Sequence, residues 1–294
     1  MRLGILGANG QVGIELCEVA TLNGATIDAP SSADVDISDE RAVAAWVRSG
    51  RFDAVVNCAA YTAVDAAEND RARAFAVNGD GPGNLGRACA SADVPVIHLS
   101  TDFVFDGTKA TPYVEEDAPN PLNVYGASKL AGERAILDSG ANAIVLRVAW
   151  VFSAHRKNFV KAIIERARGG GPLRVVDDQI GGPCSARVVA RSISSLIGRP
   201  RTDHHLYHLA AKPTVSRHGF AHAIVESARI HGLIESIPPV ERTATTAMRG
   251  VVARPLNSAM AGDRLLGDYG ISHSDWRSEL AHVIATLAGD SINK

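Results

Sequence analysis

The sequence lacks the features of metal-binding, disulfide-rich and membrane-spanning proteins. Its 294 residues include four cysteines, which lie far apart and form no Cys-x-x-Cys pair, so we expect neither a zinc site nor a disulfide framework. No apolar run reaches the roughly 20 residues of a membrane span, and the N-terminus has no signal-peptide pattern. The net charge is −2, and acids and bases are interspersed, so no basic field attracts nucleic acid or anionic lipid. We therefore expect a cytoplasmic protein without nucleic-acid or membrane partners.

Histidines form two groups that lack the other ligands of a metal site. His204, His205 and His208 lie close together, and His218 and His222 are spaced to share one helix face. Zinc sites need a complete ligand set, and here no His-Glu-x-x-His motif, nearby acid or cysteine completes it. The sequence therefore predicts no metal site.

Strand and helix patterns alternate through the first half of the chain. Apolar runs predict strands at residues 2–6, 25–29, 53–59, 95–100 and 143–152, and helical spacing predicts helices at residues 11–22, 38–46, 72–77, 83–92 and 123–138. Ser38 is the predicted N-cap of the second helix. Near-continuous apolar strands alternating with helices indicate a parallel sheet covered on both faces. We predict an α/β fold with a Rossmann-like, doubly wound parallel sheet.

The pattern is less regular in the second half. Helices are predicted at residues 158–168, 185–197, 216–230 and 274–287, strands at 173–176 and 205–209, and loop at 232–255. We divide the chain into an NAD(P)-binding Rossmann domain at residues 1–150 and a smaller, mainly substrate-binding part at 151–294. The chain is expected to cross between the two parts more than once.

A glycine-rich turn follows the first predicted strand. Gly7, Gly10 and Gly13 occupy the first, fourth and seventh positions of residues 7–13, directly before the first helix. Glycine lets backbone amides approach a pyrophosphate, which the positive end of the helix dipole attracts. Ordinary strand-to-helix turns also use glycine, but the position between the first strand and helix favours a dinucleotide site.

A second motif places three reactive side chains in order along the chain. Tyr125 and Lys129 are four residues apart, so they share one helix face. Thr101 directly follows a predicted strand, at the end of the sheet where ligands bind. A carbonyl that receives hydride needs a proton, which a tyrosine supplies when a lysine ammonium and oxidised nicotinamide lower its pKa. Thr101 can hydrogen-bond the same oxygen, and Lys129 can hold the nicotinamide ribose.

These motifs resemble the dTDP-4-dehydrorhamnose reductase family of extended short-chain dehydrogenases. The similar segments are GANGQVGIEL at the start, VVNCAAYTAVDAAE (55–68), HLSTDFVFDG (98–107), PLNVYGASKLAGE (121–133), LRVAWVF (146–152), Asn158-Phe159, DDQIGGP (177–183) and RPLNS (254–258). The resemblance spans nearly the whole chain, and the segments around Thr101 and Tyr125 are together highly specific.

The resemblance implies a set of cofactor contacts and a set of substrate contacts. It places Gly10, Gln11 and Val12 at the pyrophosphate, Asp28, Asp36 and Ile37 near the adenosine, Ala60, Tyr61 and Thr62 near the ribose and nicotinamide, and Leu99, Tyr125 and Lys129 at the remaining contacts. Thr101, Asp102 and Trp150 would meet the sugar, and Arg254 and Asn257 would lie on the substrate side. The implied reaction reduces the 4-keto group of dTDP-4-dehydro-L-rhamnose to give dTDP-L-rhamnose.

The cofactor is predicted to be NADH or NADPH, with NADH preferred. Residues 28–40 contain five acids and no lysine or arginine, and acids at this position repel the 2′-phosphate of NADPH. Arg41 is the nearest cation in the sequence, and we expect it to face away on the following helix.

The sequence is also compatible with two other functions and with a homodimer. A nucleotide-sugar epimerase or dehydratase shares both motifs, although a dehydratase usually needs an Asp-Glu pair where this chain has Asp102-Phe103. A non-catalytic NAD(P)-binding regulatory subunit would also have this fold. Some family members form a homodimer bridged by magnesium. Glu15 matches one ligand of that ion, but Arg187 stands in place of another acid, which argues against the metal.

Overall fold

The computed structural model describes residues 1–199, 202–248 and 252–292. Its strands are β1 (Arg2–Leu6), β2 (Thr26–Asp28), β3 (Ala54–Asn57), β4 (Val96–Thr101), β5 (Ala143–Val148), β6 (Leu173–Val176), β7 (Ile180–Gly181), β8 (Leu206–Leu209), β9 (Val215–Ser216) and β10 (Val240–Thr243). Its α-helices are α1 (Gln11–Leu22), α2 (Glu40–Gly50), α3 (Val64–Ala67), α4 (Arg71–Phe75), α5 (Gly81–Ala92), α6 (Val124–Leu137), α7 (Phe159–Arg168), α8 (Ala186–Leu196), α9 (Arg217–Ile230), α10 (Asp263–Tyr269) and α11 (Trp276–Ile292). A π-helix, Ala76–Asp80, joins α4 to α5, and 3₁₀ turns lie at Asp102–Val104 and Thr245–Ala247.

A six-stranded parallel sheet in the order β2-β1-β3-β4-β5-β8 forms the centre of the fold. The strand order reverses between β1 and β3, which is where doubly wound sheets open a ligand crevice. Strands β3, β4 and β5 are buried along their whole length, as expected for largely apolar strands in a sheet that is covered on both faces. The predicted Rossmann-like α/β fold is confirmed.

The apolar residues of the sheet and helices form three main cores. One lies between the sheet, α1 and α8, and includes Leu16 and Ile193. The second lies between the sheet and α2, α5 and α6, and includes Leu85. The third gathers residues from α7, α9 and α11, including Phe220 and Trp276. Strand β8 and helix α8 therefore pack with the first half of the chain. The domain boundary near residue 150 stays a prediction.

Several predicted elements differ from the structure at their ends. Ser38 is not the N-cap of α2, because Asp39 accepts hydrogen bonds from the amides of Arg41 and Ala42, and Ser38 bonds Asp36 instead. The helices predicted at 72–77 and 83–92 form one nearly continuous run, joined by the π-helix. The segment predicted as loop at 232–255 contains β10, which pairs with β6, while residues 249–251 lie outside the described part. Helix α10 was not predicted.

No helix in the described part of the chain is both long and apolar enough to cross a membrane.

Candidate active site

A cleft of about 1280 Å³ opens at the carboxyl ends of the central strands. Part of its wall comes from residues that directly follow β1, β3, β4 and β5, because the carboxyl ends of neighbouring parallel strands meet at one edge of the sheet. Sixteen predicted site residues line the cleft: Gly7, Gly10, Gln11, Val12, Asp36, Ile37, Ala60, Tyr61, Thr62, Leu99, Thr101, Asp102, Tyr125, Lys129, Trp150 and Arg254. The structure therefore brings most of the predicted site together.

The glycine-rich turn lines the cleft. Gly7 has a φ of +76°, and a side chain there would overlap the backbone of Ala59. A Cβ at Gly13 would overlap the carbonyl oxygen of Gly7. Helix α1 starts at Gln11, and its N-cap Gly10 has no side chain to accept a hydrogen bond from the first turn. The free amides of this turn and the helix dipole are the features of an anion site.

Helix α6 brings Tyr125 and Lys129 to the same cleft as Thr101. The helix begins after Asn123, whose side chain accepts a hydrogen bond from the amide of Gly126 at 2.8 Å. Gly126 has no Cβ, and one there would overlap the carbonyl oxygen of Phe103, so α6 packs tightly on the turn after β4. These contacts fix Tyr125 beside the end of β4.

Tyr125 is held as a neutral phenol. Burial raises the pKa of Tyr125 to about 12, a hydrogen bond with Thr101 lowers it, and the charge of Asp102 raises it. In this arrangement the ammonium of Lys129 donates to the carbonyl of Leu99 at 2.6 Å. The predicted lowering of the Tyr125 pKa by Lys129 and oxidised nicotinamide stays a prediction for the complex.

Lys129 lies in a buried polar network. Burial lowers the pKa of Lys129 to about 8, and the negative charge of Glu133 opposes this effect. Glu133 forms a buried ion pair with Arg147 at 2.7 Å. His98 Nε2 is 3.4 Å from Lys129 Nζ, and its Nδ1 is 3.0 Å from the side-chain nitrogen Nδ2 of Asn57. Sequence reasoning missed this network because its members are far apart in the chain.

Asp102 presents a buried carboxylate to the cleft. Thr101 donates to its Oδ1 at 3.1 Å, and in the described part of the chain its Oδ2 has no hydrogen-bond partner. Burial raises the pKa of Asp102 to about 6, while the nearby hydroxyl of Ser258 and the positive charge of Arg217 lower it. A buried acceptor without a partner is costly, so this oxygen suits a ligand hydroxyl.

The π-helix holds the loop after β3 against the cleft. The side chain of Asn78 accepts from the amide of Tyr61 at 2.8 Å and donates to its carbonyl at 3.0 Å. The same side chain donates to Ser128 on α6 at 3.0 Å. Gly132 lets α6 approach, because a Cβ there would overlap the carbonyl oxygen of Asn78. Tyr61 and its neighbours are thus fixed beside Tyr125.

Arg73, which sequence reasoning did not identify, lies beside Asp36, a residue predicted to be near the adenosine of the cofactor. Arg73 on α4 lines the cleft, and its Nη2 is 2.9 Å from Oδ2 of Asp36. Arg41, the cation named from the sequence, is exposed and does not line the cleft. Because Arg73 follows Asp36 by 37 residues, only the folded chain reveals this pair.

Two predicted site residues lie outside the cleft lining. Asp28 accepts hydrogen bonds from Arg2 and from the indole of Trp46, both at 3.0 Å. Asn257 donates to the carbonyl of Lys109 at 2.7 Å. Their predicted ligand contacts stay predictions.

Trp150 lines the cleft in an unusual backbone conformation. Its φ is +45°, a left-handed value that is strained for an aromatic residue and that concentrates at functional sites. Its indole nitrogen donates to Ser258 at 3.2 Å. The guanidinium carbon of Arg217 lies 3.5 Å from the centre of its ring. Arg217 was not predicted from the sequence, because it lies at the start of α9, outside every motif.

The two positions considered for a metal, Glu15 and Arg187, lie beside other charged or titratable side chains. Arg187 pairs with Glu279 at 3.1 Å, and Glu15 lies 3.8 Å from His155. Within residues 1–199, 202–248 and 252–292, no group of three or more His, Cys, Asp or Glu side chains is arranged to hold a metal ion.

Comparisons with known proteins agree with this geometry. The sequence model of the RmlD substrate binding domain matches residues 1–288. A dTDP-4-dehydrorhamnose reductase from Burkholderia thailandensis is 38% identical over 290 residues, covering 94% of this chain and 96% of the relative.

Two solved structures of similarly named enzymes superimpose on the chain. The dTDP-4-dehydrorhamnose reductase of Clostridium acetobutylicum is 30% identical with a TM-score of 0.91, covering 98% of this chain and 99% of that one. That of Bacillus anthracis, in complex with NADP, is 29% identical with a TM-score of 0.89, covering 97% and 99%. The predicted resemblance is confirmed: the chain belongs to the dTDP-4-dehydrorhamnose reductase family, whose RmlD substrate binding domain it contains.

Proposed function

We propose that this protein transfers hydride from NADH or NADPH to the 4-keto group of dTDP-4-dehydro-L-rhamnose, giving dTDP-L-rhamnose. The observation that carries the proposal is that Thr101, Tyr125 and Lys129 meet in the same cleft as the glycine-rich turn. The similarity to reductases over nearly the whole chain favours this function over an epimerase, a dehydratase or a non-catalytic subunit.

The residues of the cleft fit a dinucleotide. The uncapped first turn of α1 offers amides to a pyrophosphate, and Gly10, which directly precedes this turn, lines the cleft. When bound, the reduced nicotinamide supplies the hydride. Tyr61, whose backbone is held by Asn78, and Lys129 also line the cleft, and we place the nicotinamide and its ribose beside them.

Tyr125 supplies the proton in this proposal. The raised pKa keeps its hydroxyl protonated at neutral pH, so it can donate from Oη to the substrate oxygen as negative charge develops there. Thr101 contacts the same oxygen and limits its position. The positive charge of Lys129 then stabilises the tyrosinate that is left behind.

Asp102 orients the sugar. Its free Oδ2 accepts a hydrogen bond from a hydroxyl of the hexose, which satisfies a buried oxygen. A sugar without this hydroxyl would leave the Asp102 carboxylate unpaired. The site should therefore discriminate strongly against such sugars.

The assay that tests the function supplies purified protein with dTDP-4-dehydro-L-rhamnose and reduced cofactor. Cofactor oxidation and a dTDP-L-rhamnose product support the proposal. Epimerisation of a nucleotide sugar with no net cofactor consumption would instead identify an epimerase. Absence of any turnover, together with tight cofactor binding, would identify a regulatory subunit.

Assembly and location complete the proposal. We infer a homodimer that works in the cytoplasm, where its four free cysteines stay reduced. Light scattering on the purified protein measures the mass in solution, and cell fractionation measures the location.

A further inference from the structure

Arg217 is a cation of the cleft that has not been given a role. It is the first residue of α9, and its amide donates to the carbonyl of Gln179 at 3.0 Å. The side chain is half-buried and lines the cleft. Among residues 1–199, 202–248 and 252–292, no group forms a hydrogen bond or ion pair with its guanidinium. A partly buried charge without such a partner has lost some of its hydration, so an anion from outside the chain could bind it favourably.

Two charged residues of the cleft, one of each sign, act on Arg217. Burial lowers the pKa of Arg217 to about 10, the charge of Asp102 raises it, and the like charge of Arg254 lowers it. Arg254 is already paired with both carboxylate oxygens of Asp65 at 3.0 Å. Of these two arginines, Arg217 is therefore the one without an ion pair in the described residues. An anion that binds Arg217 would also weaken the repulsion between Arg217 and Arg254.

Trp150 fixes the place of this charge. The guanidinium lies over its ring at 3.5 Å, a cation–π contact that offsets part of the cost of burial. The ring is held by its own bond to Ser258 and by Gly181, where a Cβ would come within 2.5 Å of the indole. Arg217 thus covers one face of the Trp150 ring, which was predicted to contact the sugar.

We propose that Arg217 binds the diphosphate of the nucleotide-sugar substrate and that Trp150 is its positioning residue. This rests on the proposed function. A guanidinium presents a planar fork of donors that matches phosphate oxygens. Arg217 lies against Trp150 and near Asp102, the two residues that we assign to the sugar, so we assign its anion to the substrate rather than to the cofactor.

The test measures binding of dTDP and of thymidine to wild type, Arg217→Gln and Arg217→Lys by calorimetry. Loss of charge-assisted hydrogen bonds predicts that dTDP binds about 10- to 100-fold more weakly to Arg217→Gln, with an intermediate loss in Arg217→Lys. Thymidine, which has no phosphate, and NADH should bind as they do to wild type. Arg277→Gln is the matched control, because Arg277 stacks on Trp276 at 4.6 Å outside the cleft.

The role of Trp150 is tested in a double-mutant cycle. Trp150→Ala should weaken dTDP binding in the wild-type background and have little further effect in Arg217→Gln, because the two residues act as one unit. Wild-type affinity of Arg217→Gln for dTDP, with wild-type turnover, overturns this inference and leaves the proposed function standing. A wild-type protein that binds NADH but not dTDP overturns both.

Discussion

Replacing Arg73 with glutamine tests how the chain distinguishes NADH from NADPH. NADPH carries a 2′-phosphate on its adenosine ribose, which an acid repels and a cation attracts. Residues 28–40 supply five acids and no cation, and this predicts a preference for NADH. The structure adds Arg73, 2.9 Å from Asp36 in the cleft wall. We therefore expect wild type to prefer NADH and still to accept NADPH.

The exposure of this pair sets the size of the effect. The side chains of Arg73 and Asp36 are 46% and 35% exposed, so their mutual attraction is worth only about 0.2–1 kcal/mol. A charge-assisted contact from Arg73 to a phosphate is worth about 1.5–3 kcal/mol. Arg73→Gln should therefore lower kcat/KM with NADPH by roughly 10- to 100-fold. NADH has no such phosphate, so its kcat/KM should fall by less than about threefold.

The assay compares kcat/KM for both cofactors at low and at high salt. Salt screens exposed charges, so the gap between the cofactors should narrow in the wild type. Arg87→Gln is the control, because Arg87 forms an equally short exposed pair with Glu40 outside the cleft lining. Asp36→Asn should shift the preference toward NADPH. An equal loss with both cofactors in Arg73→Gln would refute the reasoning, as would a wild-type preference for NADPH.

Three further substitutions test the proton donor, the buried acid and the packing of α6. Tyr125→Phe should lower kcat by about 10²–10⁴-fold with little change in NADH affinity, and near-normal turnover would remove this residue from the mechanism. Asp102→Asn should raise the free energy of unfolding by roughly 3 kcal/mol near pH 8, because burial penalises the charged form and raises the pKa of Asp102 to about 6. Since both the folded and the unfolded chain protonate this acid below about pH 3, the gain should vanish there, and urea titrations at the two pH values measure it. Gly132→Ala should destabilise by about 1–3 kcal/mol in the same assay, because its methyl group overlaps the carbonyl of Asn78; an unchanged urea midpoint would contradict this.

Local signals in the sequence were enough to predict the fold class and much of the candidate site. The glycine-rich turn and the helix with Tyr125 and Lys129 each depend on residues within a few positions of one another. Their meeting at one edge of the sheet follows from the parallel order of the strands. These parts could be predicted because they depend on short-range geometry and on the tendency of ligands to bind at the carboxyl ends of parallel strands.

The parts that sequence reasoning missed depend on long-range contacts. Arg73 reaches Asp36 from 37 residues away, and Arg217 meets Trp150 only when β9 pairs with β7. The same applies to β10, which lies in a stretch rich in proline and threonine and pairs with β6. Tertiary packing, not local pattern, determines where these residues lie.

The π-helix at Ala76–Asp80 also limits which changes of chain length this protein tolerates. A π-turn contains one residue more than an α-turn, so deleting a residue there would restore a regular helix. All residues beyond the deletion would then rotate by about 100° around the helix axis, since an α-helix has about 3.6 residues per turn. Either Asn78 would leave Tyr61 or α5 would turn its packed face away from α6. Over evolutionary time, insertions and deletions should therefore accumulate in surface loops, and the spacing between Arg71 and Ala92 should be retained among functional relatives.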